Sequence, residues 1–342
     1  MCENKLTIRD AVTKLVEREE LSAEHAAACM EEMASGAATP AQIGAFLVAM
    51  RMKGETPGEM AAMLGVLREK SLRVELDGEL LDVCGTGGDS SGSFNVSTCA
   101  AFVAAGAGAR VAKHGNRAVT SQCGSADVLE ALGAKIELSP KQVAACVEQA
   151  GIGFMFAPAF HPAMKHVGAV RRELGVRTVF NLIAPLANPA RASRQLVGVP
   201  RVDLVETMAN VLLRAGTTRA IVAHGDDGYD EVSISGPTTV AEVVGEALRV
   251  SRVAPEDAGL ERHAISYLRG GTPEQNAAEM RLVLDGAPGP LRDFTLINAG
   301  AALMAWGVAE DLRAGVALAG ETIDSGAAAA KLDTFVKATN SV

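Results

Sequence analysis

The residue types that do chemistry are concentrated in four loops of this 342-residue chain. The first runs from Asp82 to Thr98, where Gly85, Gly87, Gly88 and Gly92 stand among Thr86, Asp89, Ser90, Ser91, Ser93, Asn95, Ser97 and Thr98. Glycine exposes backbone N–H groups, and a helix starting after such a loop adds the positive end of its dipole; together they suit phosphate. The loop matches neither GxxxxGK[ST] nor GxGxxG, so nucleotide fingerprints do not apply. Taken alone, it also fits a glycine turn with a hydroxyl cap. The second loop, Lys113, His114, Gly115, Asn116, Arg117, Ala118, Val119, Thr120 and Ser121, brings two permanent cations. Lys113 and Arg117 are suited to charge-assisted hydrogen bonds with phosphate oxygens.

The third loop groups Asp226, Asp227, Asp230 and Glu231 around Gly225 and Gly228. Carboxylates in this arrangement suit Mg²⁺, which bridges protein carboxylates to substrate phosphates. A solvated acidic turn fits the local pattern equally, and Asp226 and Asp227 fit that description best. The adjacent Asp230 and Glu231 are the better ligand candidates. The fourth stretch, residues 158–189, holds His161 and His166 five apart without the HExxH pattern, so zinc is not indicated. Its Lys165, His166, Arg171 and Arg172 mark a basic helix that faces either an anionic ligand or solvent.

These loops need elements to hold them. Residues 1 to about 70 read as helices only, started by Thr7, Ser22 and the echoed pairs Thr39-Pro40 and Thr56-Pro57. Threonine caps the helix, and proline at the first position lacks the N–H that would go unpaired there. Ile43, Phe46, Leu47 and Met50 follow the spacing of one buried helical stripe. After about residue 72 strands and helices alternate: strands at 80–84, 109–113, 152–156 and 219–223, helices at 97–107 and 125–132, and one capped by Ser139-Pro140. Alternation predicts an α/β domain with a largely parallel sheet, whose ligands bind beyond the carboxyl ends of the strands. The candidate loops fall there.

Composition narrows the function. At about 150 residues per domain the chain has room for two. A net charge of −9 argues against a nucleic-acid partner, which a basic face would serve. The 9 Phe, 2 Tyr and 1 Trp are too few for base-stacking platforms. Six cysteines without a CxxC pair suggest a reducing, cytoplasmic setting. The N-terminus has no apolar signal core, and the longest apolar stretch, Cys99 to Ala109, is about half of what a bilayer requires, so no membrane partner is expected.

Together the four clusters resemble the anthranilate phosphoribosyltransferase family, within the nucleoside phosphorylase-like phosphoribosyltransferases, over nearly the full chain. The resemblance rests on GTGGD (85–89) with FNVST (94–98), and on KHGNR (113–117) followed by Ser121 and GSADVLEALG (124–133). It rests equally on HPAMKHVGAVRRELGVRTVFNLIAPLANPA (161–190) and HGDDGYDEVS (224–233). It implies a small N-terminal all-helical domain (1–72), used for dimerisation, hinged to a larger α/β domain (73–342) with a mostly parallel central sheet flanked by helices. A segment near 165–185 would pack back on the helical part, and the protein would be a homodimer.

The activity implied is displacement of pyrophosphate from phosphoribosyl pyrophosphate by the amine of anthranilate, with Mg²⁺, in tryptophan biosynthesis. By resemblance, phosphoribosyl pyrophosphate is bound by Gly85, Gly88, Asp89, Ser93, Asn95, Val96, Ser97, Thr98 and Ser125, together with the second loop from Lys113 through His114, Gly115, Asn116, Arg117, Ala118, Val119 and Thr120 to Ser121. Anthranilate would contact Gly85, Asn116 and Arg171; Ser97, Asp230 and Glu231 would hold magnesium, as two ions. Lys113 with magnesium would stabilise charge, and no catalytic base is expected. His114 is either an anthranilate contact or a structural loop residue. Three positions depart from the family pattern: Ser93 where threonine is usual, Ser90 where glycine is common, and Ala118 where serine is usual, which leaves the phosphate contact there in doubt. Competing readings are a pyrimidine nucleoside phosphorylase-like enzyme, which needs no acid pair, and a nucleic-acid-binding paralogue of the fold.

Overall fold

A computed structural model describes residues 7–87, 92–118 and 122–342. Its first four helices are α1 (Ile8–Val16), α2 (Ala23–Ser35), α3 (Pro40–Lys53) and α4 (Pro57–Glu69). Thr39 and Thr56 each close a capping box, with Gln42 and Glu59, and a proline opens each helix. Ile43, Phe46, Leu47 and Met50 are all buried, as their spacing predicts. Glu59 ties the bundle together. Its carboxylate, almost fully buried, accepts from the backbone N of Leu21 and of Thr56 and from Lys53 Nζ, each at 2.9 Å.

From residue 81 the chain alternates: β1 (Leu81–Gly85), α5 (Val96–Gly106), β2 (Val111–Gly115), α6 (Ser125–Ala131), α7 (Pro140–Ala150), β3 (Ile152–Phe156), α8 (Ala157–Phe160), α9 (Lys165–Leu174), α10 (Val179–Ile183), β4 (Arg194–Gly198), α11 (Asp203–Arg214) and β5 (Arg219–Gly225). A hairpin of β6 (Thr238–Val244) and β7 (Ala247–Val253) follows, then α12 (Pro273–Leu284), α13 (Pro290–Trp306), α14 (Leu312–Asp324) and α15 (Ala327–Ser341). The sheet has seven strands in the order β3-β2-β1-β4-β5-β6-β7. β1 to β5 are parallel, and the hairpin adds two antiparallel strands at one edge. Three of these strands are absent from the sequence reading. β4 opens with Arg194 and Gln195 and shows no apolar run of its own, and the exposed side of β7 weakens its alternation.

The strand order decides where a ligand can bind. From β1 the chain builds outward through β2 to β3, then crosses back to β4 and builds the other way. Between β1 and β4 the loops leave in opposite directions, which opens the crevice that doubly wound sheets use for ligands.

Side chains alternate across the sheet into two cores. Leu81 and Val83 join α5 and α13 on one face. Cys84, Val197 and Val222 join α11 on the other, and this core runs without interruption into the helical bundle. α9 packs against α2 and α3, and α10 against α3 and α4, so residues 165–183 lie on the bundle. Among the described residues no helix is long and apolar enough to cross a membrane. Replacing Glu59 by alanine leaves Lys53 buried without its partner. Urea unfolding should show a loss of roughly 3 kcal/mol, the scale for breaking a buried ion pair; a loss near zero would mean that the pair does not tie the bundle.

Candidate active site

The crevice between β1 and β4 is filled by Asp230. The two strands end in Gly85 and Gly198, which face each other in register. A Cβ at Gly198 would overlap the Asp230 backbone carbonyl, and one at Gly85 would lie 2.5 Å from Asp230 Oδ2. Only glycine at both strand ends lets the acidic turn approach so closely. Asp230 Oδ2 then accepts from the Gly87 backbone N at 2.7 Å, which joins the acidic turn to the glycine loop.

The turn divides its four acids. Asp227 accepts from Tyr229 N (3.2 Å) and from the hydroxyls of Ser233 and Ser235, so it staples the turn rather than merely being solvated. Asp226 is exposed and pairs with Arg252. Asp230 is buried and Glu231 half-buried at the carboxyl ends of the strands.

Behind them stands Lys113, 2% exposed, whose Nζ donates to the Val83 carbonyl and lies 3.4 Å from Ser97 Oγ. Burial lowers its pKa from the usual lysine value, while the nearby Asp82 and Glu231 carboxylates oppose that shift. Ser97 is the second residue of α5, beside Thr98, whose buried hydroxyl has no protein partner. Val96 is fully buried and packs rather than presenting a side chain. Asn95 does not cap α5: its amide donates to the Cys123 carbonyl (3.1 Å) and accepts from Asn276 (2.8 Å). Ser93 pairs with Arg269 in an isolated bridge, flanked by backbone bonds from Phe94 to Leu268 and from Gly270 to Gly92. The segment around 268–276 is thus a support of the glycine loop that carries no motif.

In the second loop His114 is buried, with Nε2 3.2 Å from Nε2 of His161. Burial, helped by the neighbouring ring, pushes His114 down to about 3, and burial pushes His161 down to about 4. Both rings are neutral near pH 7. The sequence names His161 only to set zinc aside; its role is legible from the fold alone. Gly115 touches the start of α6, since a Cβ there would meet Ser125 Cβ at 3.1 Å. Asn116 is exposed and folds its Oδ1 back on Arg117 N at 2.8 Å. Arg117 pairs with Asp127 and Glu130 and lies over the Phe156 ring, so its guanidinium is held at the side of α6. Asp127 Oδ2 accepts from both Ala118 N and Gly124 N at 2.9 Å, closing the two ends of the loop on one carboxylate. Gly88, Asp89, Ser90, Ser91, Val119, Thr120 and Ser121 lie outside the described residues.

The four basic residues of 165–172 do not form one ligand-facing surface. Lys165 and Arg172 are exposed, and His166 packs on Gly36 of the bundle. Arg171 is half-buried, over the Phe180 ring at 5.5 Å, and burial together with Arg177 lowers its pKa from the usual arginine value. Arg177 donates to the Thr86 carbonyl at 3.2 Å, linking this segment to the glycine loop. Beside that contact a cavity of about 180 Å³ separates Arg51 and Glu55 of the bundle region from Arg177, Thr178 and Arg201.

Among the described residues no group of three or more His, Cys, Asp and Glu comes together. Asp230, Glu231 and Ser97 offer hard oxygen donors only, and too few for a closed cage. That donor set fits Mg²⁺ shared with a phosphate ligand and does not fit zinc.

Comparison with known proteins gives the family of this fold. Residues 9–71 match the helical bundle domain of a glycosyl transferase family, and residues 77–329 match its a/b domain. The chain is 55% identical over 97% of its length to anthranilate phosphoribosyltransferase of Chloroflexus aggregans, covering 98% of that protein. It is 51% identical over 98% of its length to that of Herpetosiphon aurantiacus, covering all of it. The crystal structure of the Thermus thermophilus enzyme superposes with a TM-score of 0.92 at 45% identity, over 97% of this chain and 100% of that one. The Saccharomyces cerevisiae enzyme in complex with PRPP and Mg superposes at 0.89 with 28% identity, over 98% of both chains.

The buried histidines and Asp82 make stability depend on pH in opposite senses. The histidines titrate lower in the folded chain than in the unfolded one, so their contribution is present above about pH 6.5 and is lost as pH falls toward their folded values. Asp82, pushed up to about 6 by burial, acts against them. Between pH 4 and 6 the unfolded chain binds about one net proton more, so stability should rise by roughly 1.4 kcal/mol per pH unit. Chemical unfolding across that range should show the slope, steeper in Asp82→Asn and shallower in His161→Gln; a flat profile in all three would refute the burial of these groups.

Proposed function

The chain belongs to the anthranilate phosphoribosyltransferase family, and we propose that it transfers the phosphoribosyl group of phosphoribosyl pyrophosphate to the amine of anthranilate, releasing pyrophosphate. The observation that carries this reading is the seating of Asp230 at the switch point, where it joins the glycine loop to the acid pair in front of a buried lysine. The pyrimidine nucleoside phosphorylase and nucleic-acid readings lose ground to relatives above 50% identity that carry the transferase name.

The backbone N–H groups of the glycine loop, the N-terminus of α5 and the Lys113 ammonium hold the diphosphate. They act where negative charge grows as the bond from the sugar carbon to pyrophosphate breaks. Mg²⁺, as two ions, would be held by Asp230, Glu231 and Ser97 and would supply further positive charge to the departing pyrophosphate. The sugar carbon becomes oxocarbenium-like, and the aromatic amine attacks it without prior deprotonation by a strong base. The site matches that need, because His114 and His161 stay neutral and offer only hydrogen bonds. Arg171, stacked on Phe180 with no carboxylate hydrogen-bonded to it among the described residues, receives the anthranilate carboxylate, and the exposed Asn116 contacts the same substrate.

The helical bundle carries the remaining proposals. Residues 70–77 serve as the hinge between residues 1–72 and 73–342, and the chain forms a homodimer through the bundle, as the family resemblance implies. The five described cysteines are free and buried, in keeping with a cytoplasmic protein.

Mixing the protein with anthranilate, phosphoribosyl pyrophosphate and Mg²⁺ should quench anthranilate fluorescence only when all four components are present. Asp230→Asn with Glu231→Gln should abolish turnover or shift its magnesium dependence by about tenfold or more; an unchanged magnesium titration would remove the pair as ligands. Arg171→Ala should raise the KM for anthranilate by about tenfold or more while that for phosphoribosyl pyrophosphate moves little, and the reverse pattern would remove its assigned role.

A further inference from the structure

β1 and β4 share five aligned pairs, from Leu81 with Arg194 to Gly85 with Gly198, but β1 and β2 share only one, Leu81 with Val111. β2 meanwhile stays paired with β3 as far as Gly115. Past Leu81 the neighbours β1 and β2 therefore part toward their carboxyl ends. Their inner edges still carry buried N–H and C=O groups that must find partners. Three side chains supply them. Asp82 Oδ1 accepts from His114 N at 3.1 Å, and Asp82 Oδ2 accepts from Asn188 Nδ2 at 2.7 Å. The same Asn188 Nδ2 donates to the Ala112 carbonyl at 2.8 Å, while Asn188 Oδ1 is fixed by Ala190 N at 2.9 Å. Lys113 Nζ donates to the Val83 carbonyl. Asp82 and Asn188 are fully buried.

We infer that Asp82 and Asn188 form a wedge that holds β1 and β2 apart and so places the Lys113 ammonium for phosphoribosyl pyrophosphate, making both of them positioning residues. The inference rests on the reading that Lys113 serves that substrate. Paired strands lie about 4.8 Å apart, which leaves no room between backbones for an ammonium group. In a closed ladder the Val83 carbonyl would face a β2 amide, and Lys113 would have to stand off the sheet. The opened gap instead gives Nζ a fixed acceptor on β1 and leaves it 3.4 Å from Ser97 Oγ, at the start of α5. Asn188 suits the task because one NH₂ group reaches both edges while its oxygen is pinned. The Asp82 carboxylate meets the other edge at His114 N and lends the buried ammonium an opposite charge. Neither residue belongs to the set that would contact substrate.

The test is a double-mutant cycle on the full chain, using steady-state kinetics with Mg²⁺ and thermal melting to verify folding. Asn188→Ala should raise the KM for phosphoribosyl pyrophosphate by about tenfold or more, as misplacement of a binding group does. In a Lys113→Ala background the same change should add nothing, because the group being positioned is gone. A folded Asn188→Ala with unchanged KM, or losses that multiply in the double variant, would overturn the wedge. Asp82→Asn, nearly isosteric, repeats the test if Asn188→Ala fails to fold, with the same two outcomes. Gln195 pairs with Asp82 in register and is equally buried, yet makes no bond to β2. Gln195→Leu should leave the KM within about twofold; a rise equal to that of Asn188→Ala would mean general loosening and would also overturn the proposal. If the wild-type protein consumed no anthranilate, the reaction assignment would fail by itself. Calorimetric titration of phosphoribosyl pyrophosphate with Mg²⁺ into wild type and Asn188→Ala would still decide the wedge.

Discussion

The site depends on one close approach, that of Asp230 to the glycine ends of β1 and β4. With no Cβ at Gly85 or Gly198, the backbone of the acidic turn lies directly on the strand ends, and the Asp230 carboxylate reaches the amide of Gly87. Two loops separated by more than a hundred residues thereby become one surface. The acidic turn has two anchors of its own: Asp227 staples it, and Val232 N donates to Asn298 of α13 at 3.0 Å. A rigid scaffold beneath and a short loop above give the preorganisation that an electrostatic site requires. The switch in strand order makes the crevice, and glycine makes it shallow enough for a carboxylate to span.

The electrostatics of the site run against those of the chain. A protein of net charge −9 gathers Lys113, Arg171 and Arg177 around the crevice and keeps the paired His114 and His161 neutral. Arg177 depresses the pKa of Arg171, so an anion arriving between them relieves a repulsion already present in the fold. Among the described residues Lys113 makes no direct salt bridge; it stays buried, held by a carbonyl, with Asp82 and Glu231 near enough to compensate its charge. The net charge of −9 says nothing of the ligand's sign, which only the local arrangement selects.

Local signals in the sequence were enough for the parts of the fold that local chemistry determines. Thr39 and Thr56 cap helices where threonine before proline says they should, and the strands at 81–85, 152–156 and 219–225 sit on their apolar runs. β2 begins at Val111 rather than Ala109, because Ala109 still answers the last turn of α5 through a bond to Ala104. What the sequence could not reveal depends on partners far along the chain. Arg117 reads as a phosphate-binding cation until Asp127 and Glu130 are seen beside it; nothing local tells that the Asn95 amide meets Cys123 and Asn276. Asn188 lies inside the long 161–190 run, yet nothing local singles it out, since its partners Asp82 and Ala112 come from two different strands.

The way the bundle meets the α/β domain constrains any hinge motion. Arg68, at the end of α4, donates to the carbonyls of Leu186 and Ala215, so one guanidinium clamps the bundle to both the 165–190 segment and the end of α11. The apolar core that passes from the bundle to the sheet through α11 is continuous, and opening it would expose large aliphatic surface. The contact from Arg177 to Thr86, by contrast, is a single polar bond on a half-buried side chain. That bond lies between the segment that carries Arg171, proposed for anthranilate, and the loop proposed for the diphosphate. A displacement of the segment that carries Arg171 and Arg177 would therefore change the separation of the two proposed subsites, and the apolar core shared by bundle and sheet resists a larger opening.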